Sequence, residues 1–113
     1  MQVSPRRVIM ETTYNYKVFY GNAPDPAGGA YPAPDAWTGI PALDFTTGTK
    51  IIMVWVWDQF AVLRLSFDGI TYGDDIVLHD APQAEPFYYC AQKAQIINFT
   101  PGATAIYQIK GQW

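Results

Sequence analysis

Seven consecutive residues, Ile51-Ile52-Met53-Val54-Trp55-Val56-Trp57, offer no polar side chain beyond two indole N–H groups. Residues of these types, β-branched and aromatic, fit an extended strand. Alternation then sends Ile51, Met53, Trp55 and Trp57 to one face and Ile52, Val54 and Val56 to the other. Such a strand needs cover on both sides, from its own domain or from a partner. The run is far shorter than the roughly 18 apolar residues of a membrane span, so no membrane partner is expected.

The neighbouring segments also read as strands. Residues 7–20 are rich in β-branched and aromatic types, with Tyr14, Tyr16 and Val18 on one face and Asn15 and Lys17 on the other. In 59–67, Ala61, Leu63, Leu65 and Phe67 share a face, and Arg64 and Ser66 lie opposite, where water is expected. Asp68-Gly69 is a tight-turn signal that would set strand register. Shorter strands are expected at 76–78, 87–90, 95–100 and 104–110, with 81–86 as a loop and Pro101-Gly102 joining the last two. No segment sustains helical spacing. Short strands with turns about every ten residues predict an all-β fold, an antiparallel β-sandwich of jelly-roll-like type over residues 1–113.

One stretch breaks the pattern. Residues 21–41 contain Pro24, Pro26, Pro32, Pro34 and Pro41 together with Gly28, Gly29 and Gly39. Proline fixes φ and withholds an N–H, so a long Pro/Gly-rich loop or arm is expected over about 21–47. Tyr31, Trp37 and Ile40 are its anchors. It either clamps one edge of the sandwich or reaches a neighbouring subunit.

Chemistry is sparse. His79 is the one histidine, and Asp80 beside it would point to the opposite face of a strand, which is poor geometry for a triad. Asp68, Asp74, Asp75 and Asp80 do not match a calcium loop, and turns account for them. Zinc would want cysteines or several histidines. A single cysteine, Cys90, excludes an intramolecular disulfide and reads as a small buried hydrophobe. No catalytic residue, cofactor or metal is expected. Ten Asp and Glu against seven Lys and Arg, a net charge of -3, argue against direct nucleic-acid binding. The opening MQVSPRRVIM has no signal-length apolar stretch, so folding in a reducing cytoplasm is expected and the Asn98-Phe99-Thr100 sequon is read as coincidence.

Aromatic residues make up 16% of the chain, more than a core this small requires. Trp37, Met53, Trp55, Trp57, Tyr72 and Trp113 are the candidate interface residues. Trp37, Tyr72 or Trp113 could alternatively stack on sugar rings, so a glycan is the other candidate ligand.

The second half carries a resemblance. Leu65-Ser66-Phe67-Asp68-Gly69-Ile70, the 74–78 segment, Ile96-Ile97-Asn98-Phe99 and the run from Pro101 through Gly111 are similar to small β-sandwich virion proteins of tailed bacteriophages. In those, a strand ends in an S-x-D-G turn and a late strand reads like G-T-x-I-Y-x-x-G. The match covers about half the chain. Here only Gln112 and Trp113 follow Gly111, where relatives often add a strand, and the Pro/Gly loop is richer. The resemblance implies a non-enzymatic virion component made in the host cytoplasm. A capsid decoration or cement protein is the first choice; a neck, tail or fibre-associated protein is the alternative. Its implied partners are further copies of itself, as a dimer or trimer, and virion proteins such as the major capsid protein.

Overall fold

The long segments of alternating residues are strands, and the connections between them deal those strands out to two sheets. The computed structural model describes residues 16–45, 49, 51–79, 91–113 and, as backbone, 85–87. The strands are β1 (Tyr16–Asn22), β2 (Leu43–Asp44), β3 (Ile51–Trp57), β4 (Ala61–Ser66), β5 (Ile76–Leu78), β6 (Glu85–Phe87), β7 (Lys93–Asn98) and β8 (Ile106–Gln112). Sheet A has the order β1-β8-β3-β6 and sheet B the order β2-β7-β4-β5, with every pairing antiparallel. That order is the jelly roll, two interleaved Greek keys, and the fold is the expected all-β sandwich.

The core lies between the sheets. Ile52, Val54 and Val56 of β3 and Ile109 of β8 meet Ala61, Leu63 and Leu65 of β4 and Ala94 and Ile96 of β7. Phe45, just after β2, is fully buried with its ring edge-on to Phe19 at 5.3 Å. It fits because Gly111 lies beneath it: a Cβ there would come within 2.6 Å of the Phe45 ring.

Pro101-Gly102 joins the last two strands as expected, and because β7 belongs to sheet B and β8 to sheet A this turn crosses between sheets. Three expectations change. Residues 81–86 are not all loop, because β6 begins at Glu85 and pairs with β3. Asp68-Gly69 does not close a two-residue hairpin, since the next strand begins only at Ile76. Finally, the polar face of β4 is not wet: Ser66 is fully buried and Arg64 half-buried. Residues 7–15, Asp80 and Cys90 lie outside the described residues.

The cover on β4 is the Pro/Gly-rich loop. Ala36 packs with Val62 and Ile97 in a second apolar cluster, and Tyr31, Ala33, Trp37 and Ile40 close around it. Val62 and Ile97 are both 0% exposed. Burying each such side chain is worth about 2 kcal/mol, which holds the segment to the sheet, while turns of its own, such as Ala27 N–H to the Ala36 carbonyl, shape it. Two bonds fix its start: Ala23 N–H donates to the Ala105 carbonyl at 2.8 Å and Asn98 N–H to the Pro24 carbonyl at 2.8 Å. The loop therefore lies on the outer face of sheet B, not over β3.

Candidate functional site

Two aromatic surfaces result, and five of the six candidate interface residues divide between them. On sheet A the register aligns outward-facing rows across three strands: Tyr16, Gln112 and Ile51; Val18, Lys110 and Met53; Tyr20, Gln108 and Trp55; Asn22, Ile106 and Trp57. Met53, Trp55 and Trp57 are half-buried, while Tyr16, Val18 and Tyr20 are 61%, 41% and 68% exposed. The face is thus a central stripe of β8, mostly polar, flanked by apolar and aromatic stripes on β1 and β3. Its one described charge, the Lys110 ammonium, sits 4.9 Å over the Tyr16 ring. Trp113 follows β8, half-buried and in phase with the inward-facing Ile109 and Gly111.

On sheet B, Trp37 and Tyr72 are used within the chain. The Arg64 guanidinium lies between them, 4.5 Å from the Trp37 ring and 4.4 Å from the Tyr72 ring. Its Nε donates to Gln95 Oε1 at 2.8 Å, and Gln95 Nε2 donates to the Ile40 carbonyl at 2.7 Å. Burial lowers the Arg64 pKa, and the charge of Asp75 and the nearby Tyr72 act against that. Nearby, Tyr31 donates its hydroxyl to Asp75 at 2.8 Å; burial first, then Asp75, pushes the phenol up to about 12. These contacts fasten both the Pro/Gly loop and the 67–75 connection to β4.

The 67–75 connection is held by one carboxylate. Asp68 Oδ1 accepts from the N–H of Ile70 at 2.8 Å, the N–H of Thr71 at 2.7 Å and the Ser66 hydroxyl at 3.2 Å. The backbone donors of Thr71 and then Ile70 hold the Asp68 pKa below the usual range. Gly69 occupies φ 81°, the left-handed region the sequence signal requires.

The remaining polar candidates are accounted for locally. His79 is exposed, edge-on to Phe60 at 5.2 Å. The Asn98 amide is buried, donating to Asp25 at 2.8 Å and accepting from Ala105 N–H at 2.9 Å, so the sequon asparagine is used inside the fold. Among the described residues, no three His, Cys, Asp or Glu gather as a metal site needs. Sequence reasoning missed Arg64 as a clamp and Ile70 as an exposed tip. It also did not carry the β3 face across to Tyr20, although the alternation along β1 held that information.

No protein-family model matches the chain, and no curated protein matches it. Among solved structures, it is similar to a crystal structure of cobalt(II) HppE in complex with Tris buffer, with a TM-score of 0.50 and 6% identity. The alignment covers 89% of this chain and 46% of the HppE chain, so this chain spans less than half of that protein. At that identity the likeness speaks for the sandwich fold alone.

Proposed function

We propose that this protein is a non-enzymatic structural component of a tailed-phage virion, in the first place a capsid decoration protein. It assembles with itself and with other virion proteins through the outer face of sheet A. The observation that carries this reading is the position of the loop. Among the described residues, the long Pro/Gly-rich connection is committed to sheet B, and Met53, Trp55 and Trp57 are part-exposed beside Tyr16, Val18 and Tyr20. Large aromatics on a partly covered flat face are characteristic anchors of protein contacts. The phage-like S-x-D-G turn at 66–69 and the late Thr104-Ala105-Ile106-Tyr107 run, similar to the late strand of those proteins, support the choice of virion over other assemblies.

The size of the face matters to what it does. Three strands at about 4.8 Å spacing and seven residues at about 3.4 Å give a plan area of roughly 340 Å². Stable interfaces bury about 800 Å² per partner. The face alone therefore suits a contact reinforced by symmetry or by docking on a larger surface, as in a capsid lattice. A second reading, glycan binding, is favoured by one row, in which Gln108 separates the rings of Tyr20 and Trp55 as a sugar platform would require.

The test is mass spectrometry of purified particles of the encoding phage, with a glycan array run beside it. The protein at many copies per particle, with a blank array, is the expected result. Absence from particles together with specific glycan binding would replace this reading with the second.

A further inference from the structure

The 67–75 connection carries a second exposed apolar feature, away from the sheet A face. Ile70 is 83% exposed and Phe67 is 48% exposed. The turn that presents them is fixed. Besides the three bonds to Asp68 Oδ1, Gly69 N–H donates to Ser66 Oγ at 3.0 Å and Gly73 N–H donates to the Leu65 carbonyl at 2.9 Å. A bridge joins Ser66 to Tyr72, whose ring is stacked on Arg64. An isoleucine on a turn ordered in advance loses less conformational entropy on docking than one on a mobile segment, so more of its burial is available as affinity.

Charge selects the partner. Asp68, Asp74 and Asp75 lie in this connection and are exposed, and 67–75 contains no Lys or Arg. Arg64 is screened by its two rings, and the cation nearest in register is Lys93, opposite Ser66. A cavity of about 400 Å³ opens alongside, lined by Leu65, Phe67, Gly73, Asp74 and Ile76. Two copies meeting turn to turn would bring six carboxylates together, which like-charge repulsion disfavours. Anionic lipid headgroups would be repelled in the same way.

We propose that the 67–75 turn is a preformed prong that seats Ile70 in an apolar pocket, rimmed by Lys or Arg, on a different protein. The proposal deepens the assembly reading above, on which it depends only for the partner being another virion protein.

The experiment is photo-cross-linking from benzoylphenylalanine in place of Ile70, in host cells producing the particles. The same group in place of Val77, 45% exposed on edge strand β5, is the control. The expected product forms at least tenfold more from position 70 than from 77. It joins this chain to a different protein, and the linked peptide contains two or more Lys or Arg. If that protein is a virion component, both the prong and the virion reading stand. If it is not, the prong stands and the virion reading falls. A product of two copies of this chain, a lipid-linked product, or equal yields at both positions would overturn the prong.

Discussion

Gly111 and Phe45 share a space that holds only one side chain. A Cβ at 111 would lie 2.6 Å from the Phe45 ring and 2.9 Å from the Thr49 methyl, and both neighbours are fully buried. Gly111→Ala should therefore destabilise the protein by about 1–3 kcal/mol in a denaturant melt. Adding Phe45→Leu should return part of that loss, which a defect unrelated to crowding would not show. At Gly69 the constraint is backbone conformation, φ 81°, with Gln92 Oε1 3.0 Å from a would-be Cβ. Gly69→Val should cost roughly 1 kcal/mol or more; an unchanged melting temperature would contradict the turn geometry. Titration gives a third residue-scale test. Asp68 is held below its ordinary pKa by backbone donors, and Asp25 by the Asn98 amide and Gly102 N–H. A depressed folded pKa means that the unfolded chain binds protons first as pH falls. The stabilisation is thus complete above about pH 4, the unfolded aspartate value, and is lost as pH drops through the lower folded values. Urea midpoints measured from pH 5 to pH 2 should fall less steeply in Asp68→Asn and Asp25→Asn than in the parent.

At the scale of elements, Arg64 joins β4 to the Pro/Gly loop, distant in sequence, through Trp37, and to the adjoining 67–75 connection through Tyr72. Two partly desolvated cation–π contacts and one charged hydrogen bond are together worth about 2–3 kcal/mol. Arg64→Ala should lose about that much, and Arg64→Lys should recover less than half, because an ammonium cannot present a flat face to both rings. In Arg64→Ala, hydrogen exchange should show the 23–41 backbone opening before the sheets do; loop protection unchanged from the parent would argue against a clamp. This element also marks where the sequence stopped being legible. The inward face of β4 follows from alternation. The outward face, with Arg64 and Ser66, was read as wet because local periodicity registers polarity but not cover. The cover on Arg64 comes from Trp37, far away along the chain on a segment with no periodicity, and from Tyr72 in the connection that follows. The doubly apolar pattern of β3 was legible as a need for cover on its second face.

For the molecule as a whole, the sandwich class was legible in the long strands, while the strand order was not. β2, β5 and β6 are two or three residues long, too short to show a period, yet they help complete the two Greek keys. The division of the candidate interface was hidden for the same reason. Trp37 and Tyr72 lie in connections that close over sheet B, whereas Trp55 and Trp57 lie on a strand of sheet A, and local periodicity does not register which sheet a connection meets. Among the described residues, the outside carries an acidic turn at one place and the aromatic face of sheet A at another, and self-association is proposed for the latter. The most direct test is light scattering on the purified protein at tens of micromolar, with Trp55→Arg and Trp57→Arg measured beside it and circular dichroism as the check on folding. The account predicts an oligomer that at least one of these changes dissolves while the β spectrum is kept. A parent that is strictly monomeric, or variants that remain folded and assemble as the parent does, would contradict it.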